Sequence, residues 1–223
     1  MSGIALIGGA GEGLGAALGR RFAIGGYEVV LASRSGEDLG KVDLREEAQV
    51  MSLFDRVENR GPVEVAVFNA GAQYRGAIAE TPAEMFENVW RLGCYAGFLF
   101  GREAARRMLA RGRGTILFTG ATASMRGAAN FAAFAAAKGG LRQVAQSMAR
   151  ELGPKNIHVA HVVIDGGIDN RRTRERRGDR LKELPTDGLL ATDAIAELYW
   201  QLHAQPRSAW TFEADLRPWA ERF

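Results

Sequence analysis

The chain has 223 residues, 47% of them hydrophobic, which suits one folded domain with an ample core better than two. Its formal net charge of +3 is too slight to argue for nucleic acid or an anionic membrane surface, and a single cysteine, Cys94, excludes a fold stapled by internal disulfides. No stretch reaches the unbroken apolar length that spans a bilayer, and Met1-Ser2 leads into an apolar strand with no basic leader, so a cytoplasmic protein with no membrane and no nucleic-acid partner is expected.

In chain order, Ile4 to Ile7 is a short apolar run that gives way to glycines, and Leu14 to Phe22 carries apolar residues at helical spacing. Strand, turn and helix follow from that pattern. A second strand is predicted at Tyr27 to Ala32, then a polar turn, a short third strand at Lys41 to Asp43 and a helix over Arg45 to Val57. Val63 to Phe68 is a strand of β-branched and apolar type. Thr81-Pro82-Ala83-Glu84 has the composition of a helix start, with threonine as cap, proline at the first helical position and glutamate to complete a capping box. It predicts a long helix toward Arg111. Gly114 to Thr119 is a strand, Asn130 to Leu152 a long alanine-rich helix and Ile157 to Ile164 another strand. Arg171 to Arg180 is arginine-rich, either a recruiter of an acidic substrate or phosphate or a solvated helix face. A helix from Thr192 to about His203, a short candidate strand at Ala209 to Phe212 and a tail from Pro218 to Phe223 complete the chain.

Strands apolar on both faces, alternating with helices, are the pattern of an α/β fold whose parallel sheet is covered by helices and wound with right-handed crossovers. Between the first strand and its helix stands Gly8-Gly9-Ala10-Gly11-Glu12-Gly13-Leu14-Gly15. Glycine is needed there because a Cβ blocks the backbone's approach to a pyrophosphate, and the helix start turns free N–H groups and its positive dipole end on the same anion. A tight turn without a ligand is the alternative, disfavoured by the position of the cluster between strand and helix.

Gly9, Gly13 and Gly15 follow a G-x-x-x-G-x-G spacing. With Asn69-Ala70-Gly71 at the end of the Val63 to Phe68 strand and Lys138 in the long helix, the chain resembles the short-chain dehydrogenase/reductase family over about its first 170 residues. The resemblance implies a Rossmann-type doubly wound parallel sheet with helices on both faces. It implies a single dinucleotide-binding domain over residues 1–223, with 165–223 forming a substrate-lid region and a C-terminal strand, and a homodimer or homotetramer.

It also implies cofactor contacts. Gly9, Gly13, Leu14 and Gly15 fall at the pyrophosphate, and Asn69, Ala70 and Gly71 beside the cofactor. Ser33-Arg34 falls where an acidic residue would take the ribose hydroxyls of NAD and a basic one pairs with the 2′-phosphate of NADP, so NADP is expected and NAD is the alternative. Arg34 as a plain surface residue remains the bland reading, and Glu12 opposes NADP mildly with its negative charge. Asp43-Leu44 resembles the adenine-edge contact. Ile168 falls near the nicotinamide carboxamide, although Ile164-Asp165-Gly166-Gly167 replaces the usual Pro-Gly and the register needs an extra residue. The span from Arg34 to Asp43 is too short for a helix, which leaves the adenine side open.

In this family a tyrosine donates the proton, a lysine lowers its pKa and a serine holds the carbonyl oxygen. The tyrosine position, one helical turn before Lys138, is Phe134; the serine position is Ala121; that of a supporting asparagine is Cys94. Only Lys138 survives, set among Phe131, Phe134 and alanines as a buried, functional lysine. Thr119, Thr122, Ser124, a bound water or Lys138 itself are the substitute donors. The chain is thus expected to be an NAD(P)-dependent oxidoreductase acting on a small apolar carbonyl or alcohol, or else a catalytically silent binder serving as redox sensor or structural partner. Cys94 reads as a packing residue, because no neighbouring charge lowers its pKa. His158 and His161, three apart in a strand, face opposite sides, and no metal site is expected.

Overall fold

Alternation within the strands builds two cores, one on each side of a sheet. The computed structural model describes residues 3–34, 36 and 39–221; Met1, Ser2, part of the turn after Arg34, and the last two residues of the predicted tail lie outside the described residues. Six strands, β1 (Ile4–Gly8), β2 (Glu28–Ala32), β3 (Val63–Phe68), β4 (Gly114–Thr119), β5 (Ile157–Ile164) and β6 (Glu213–Leu216), form one parallel sheet in the order β2-β1-β3-β4-β5-β6. Every residue of β1 and of β5 is buried, as both faces of a central parallel strand require.

Adjacent residues of β1 point to opposite layers. Ile7 joins Leu18 and Phe22 of α1 (Leu14–Ile24) and Ile195 and Tyr199 of α7 (Thr192–His203). Leu6 joins Phe54 of α2 (Glu47–Glu58), Phe100 of α4 (Ala96–Arg111) and Leu141 of α5 (Ala132–Leu152). Before α4 comes α3 (Ala83–Trp90), and α6 (Arg171–Arg177) follows β5. The chain leaves β1 outward to β2 and returns to β3 on its other side. The direction of winding therefore reverses over β1 and β3, where a crevice opens at the carboxyl ends of the strands. This is the expected doubly wound α/β architecture with helices on both faces.

Several boundaries differ from the sequence expectation for physical reasons. Lys41 to Asp43 forms no strand: Val42 donates one hydrogen bond to the Ser33 carbonyl, but the Asp43 N–H is taken by the Gln49 side chain, so no ladder propagates. The following helix starts at Glu47, because Asp43 and Arg45 close a turn of their own. Thr81 does not cap α3. Its hydroxyl donates backward to the Ala77 carbonyl, and Pro82 occupies the cap position, so the predicted capping box is not made. The long helix is broken by a π-helical turn over Arg91–Tyr95. The alanine-rich helix begins at Ala132 rather than Asn130, whose φ of 68° is left-handed.

The arginine-rich segment is helical only to Arg177, and continues as a 3-10 turn over Gly178–Glu183. The last strand lies at Glu213–Leu216, beyond Ala209 to Phe212, because Gln205 ties Trp210 and Thr211 into a turn through its backbone and side chain. His158 and His161 do point apart: His158 stacks on Trp210, while His161 meets Glu213 at 3.0 Å. Among the described residues no helix is long and apolar enough to cross a membrane.

Candidate active site

The turn after β1 is held against its neighbours mainly through the backbone. The N–H groups of Gly9 and Ala10 both donate to the Ala32 carbonyl, at 2.9 and 3.2 Å. Asn69, at the end of β3, donates its N–H to Gly8 and its side-chain amide to Gly9. Gly9 has φ +84°, and a Cβ there would sit 2.4 Å from the Ala70 nitrogen; a Cβ at Gly15 would sit 2.6 Å from Ala10 Cα. α1 then begins after Gly13 with no side-chain cap and no acidic residue in its first turn. Its leading N–H groups and positive dipole end are left for an anion.

Two adjoining cavities open from this turn, of about 760 and 350 Å³, and they share Gly9, Gly11, Asn69 and Gly71. The smaller is walled by Ser33, Arg34, Asp43, Leu44 and Ala70. In the larger, Gly13, Leu14 and Gly15 stand on one side, Ala121, Phe134 and Lys138 on another, with Ile168 beside them. A bipartite groove with an uncapped helix start at its waist has a shape that a dinucleotide would fit. Each residue expected at the cofactor or at the reacting centre lines one of the two cavities, with Cys94 and Ser124 as the exceptions.

Cys94 lies buried in the π turn and packs against α5, where a Cβ at Gly140 would come within 2.7 Å of its sulfur. Burial pushes its thiol pKa up, so a nucleophilic or redox role has no support there. Arg34 is exposed at the rim of the smaller cavity. The Asp43 carboxylate is already clasped by Arg45, whose hydrogen bonds hold it below the usual range. Glu12, mostly exposed, meets Arg171 at 3.3 Å, which offsets the negative charge it brings to the phosphate turn.

Lys138 is 5% exposed, and its ammonium donates to the Thr119 carbonyl at the end of β4 at 2.7 Å. Gly71 makes room for it, since a Cβ there would approach Nζ at 3.3 Å. Burial lowers the Lys138 pKa from 10.5 to about 8. Below that value both folded and unfolded chains carry the proton and the cost of burying the charge is felt in full; between 8 and 10.5 the unfolded chain holds more protons, so stability rises with pH. Lys138→Met should therefore be more stable than wild type near pH 7, by up to about 3 kcal/mol, since each tenfold change in proton affinity is worth roughly 1.4 kcal/mol. That gain should shrink as pH rises through the same window. Urea unfolding of both proteins from pH 7 to 10.5 measures it, and a pH-independent difference would refute it.

The hydroxyls near the serine position are all engaged. Thr119 Oγ1 pairs with the Tyr199 phenol at 2.8 Å, Thr122 donates to the Asp165 carboxylate, and Ser124 Oγ accepts from the Ala121 N–H at 3.1 Å. Tyr199 was not legible as a site neighbour, nor was the pairing of Asp165 with Thr122, since each lies far along the chain from its partner. Asn170, which the sequence reading did not single out, caps α6 by accepting from the Thr173 N–H at 2.8 Å, and its side chain lies over Gly13.

Residues 3–180 match the family model for short chain dehydrogenase. The 3-oxoacyl-[acyl-carrier-protein] reductase MabA of Mycobacterium bovis is 34% identical over 175 residues, which cover 76% of this chain and 70% of that protein. A short-chain dehydrogenase crystal structure from Rhodopseudomonas palustris is 43% identical, with a TM-score of 0.82 over 97% of this chain and 99% of that one. The structure of an actinorhodin polyketide ketoreductase with NADPH shares the fold at a TM-score of 0.87 and 24% identity, over 97% and 96% of the two chains. The chain belongs to the short-chain dehydrogenase family.

Proposed function

We propose that this protein is an NADP-preferring oxidoreductase of the short-chain type, acting on a small carbonyl or alcohol with a proton donor other than tyrosine. The observation that carries the proposal is the bipartite groove, with the glycine turn at its waist, Arg34 at one end and Lys138 at the other. A bound dinucleotide supplies or accepts the hydride. The uncapped start of α1 holds its pyrophosphate, and Arg34 pairs with the 2′-phosphate. Lys138 holds the nicotinamide ribose, and with a pKa near 8 it has a proton to give at working pH. Phe134 and Ala121 wall the reacting end. Residues 165–223 serve as lid region and last strand, and the homo-oligomer common in the family completes the proposal.

The presence of Phe134 in the cleft favours a second reading, in which the same groove binds the dinucleotide without turnover and reports its redox state. Fluorescence titration with NADPH and NADH tests the shared premise, and a protein that binds neither would dismiss both readings. Arg34→Asp should weaken NADPH by roughly ten- to a hundredfold, the size of a lost charge-assisted hydrogen bond, and spare NADH. An unchanged NADPH affinity would remove Arg34 from the site.

A further inference from the structure

The larger cavity is roofed by a helix whose charge the dinucleotide reading does not use. Arg172 and Arg176 are one turn apart on α6, hence on one face, and both line the cleft that also holds Lys138 and Phe134. The two carboxylates lining that cleft are already matched by other arginines: Glu12 meets Arg171 at 3.3 Å, and Asp169 is gripped by Arg174 at 2.6 and 2.7 Å. Arg176 donates at 2.6 Å to the amide oxygen of Gln73, a neutral partner across the cleft, which aims its guanidinium inward and leaves its charge uncompensated. Among the described residues no hydrogen bond or ion pair engages Arg172. Two fork-shaped cations thus line the cleft with no carboxylate paired to either, and the same cleft is apolar at Phe134 and Ala121.

We propose that Arg172 and Arg176 form a substrate subsite for an anionic oxygen group, a carboxylate or phosphate, on a molecule whose carbonyl lies by Lys138. The inference rests on the oxidoreductase reading and takes up, of the two readings of the arginine-rich segment, the recruitment of an anion, so that the small apolar carbonyl becomes an amphiphilic one. A guanidinium fork matches both anions in geometry, and the source of the group is decided by experiment. The two arginines are exposed, so their replacement leaves the fold intact.

Calorimetric titrations of NADPH-loaded protein with pyruvate, 4-oxopentanoate and glycerone phosphate, and with the methyl esters of the two carboxylic acids, read the subsite. The expected result is at least about tenfold tighter binding of acid than ester, the size of one charge-assisted contact. Arg172→Ala/Arg176→Ala should abolish that preference with NADPH affinity unchanged, and Arg172→Lys/Arg176→Lys should recover part of it. The ranking of carboxylates against glycerone phosphate identifies which anion the subsite takes. Equal binding of acid and ester in wild type, or a preference that persists in the alanine pair, overturns the proposal. So does a loss of NADPH affinity in the alanine pair, which would give both arginines to the cofactor's phosphates. The same titrations without dinucleotide keep the two readings apart: an anion preference there stands even if NADPH does not bind.

Discussion

Phe134→Tyr is expected to raise carbonyl reduction by about 10²- to 10⁴-fold, the contribution a positioned general acid typically makes. Phe134 stands one turn before Lys138 on α5 and lines the same cleft, so a phenol added at its ring edge enters a site that already has a buried ammonium beside it. The ammonium favours the phenolate form of such a group, which lowers the phenol's pKa toward working pH. The serine position stays empty at Ala121, so the gain should fall short of a complete site. Steady-state NADPH oxidation with a carbonyl panel measures the ratio of variant to wild type. A wild type already active with the variant unchanged would show that Lys138 or a bound water supplies the proton unaided. Activity that appears only in the variant would identify the natural protein as a binder that does not turn over.

Gly9→Ala should reduce dinucleotide affinity by at least about a hundredfold. The added Cβ lies 2.4 Å from a backbone nitrogen, and φ +84° is a conformation that only glycine adopts freely. The turn must move, and losing two hydrogen bonds to a pyrophosphate at about 1.5–3 kcal/mol each accounts for the change. The overpacking also lowers stability, by roughly 1–3 kcal/mol. Gly11→Ala is the matched control. Gly11 borders both cavities, its φ is not left-handed, and nothing lies within 4 Å of the Cβ it would gain, so the folded state should be unaffected. Fluorescence titration and thermal melting of the two variants decide the matter: full affinity in folded Gly9→Ala would show that the turn does not hold the pyrophosphate.

Signals carried by a few consecutive residues were legible in the sequence. The glycine turn, the apolar runs of β1, β3, β4 and β5, and the α7 helix all stand where local pattern puts them, because burial on both faces and helical periodicity are recorded residue by residue. Lys41 to Asp43 shows where this stops. A single apolar residue, Val42, satisfies a strand template only if a partner ladder forms, and the competing bond from Asp43 to Gln49 is invisible to periodicity. The π turn at Arg91–Tyr95 is equally hidden, since it answers to packing between α5 and the helix it interrupts: Gly93 and Gly140 bring the two within reach, and a Cβ at Gly93 would come within 2.8 Å of Ala137. For the site, residues falling in recognisable motifs could be placed. Gln73 and Tyr199 could not, because their partners are Arg176 and Thr119, distant in sequence and adjacent only once the sheet is built.

The bond from Lys138 to the Thr119 carbonyl sets a limit on stoichiometry. An ammonium carries three N–H vectors, and one is committed to the main chain. At most two oxygens of a ligand can therefore be served at once, and each must compete with a peptide carbonyl that is always within reach. Once the proton leaves, near pH 8, the amine keeps two N–H vectors and gains a lone pair, so one ligand oxygen loses its donor. Occupancy at this nitrogen is thus a matter of valence, with one more oxygen accommodated on the acid side than on the alkaline side.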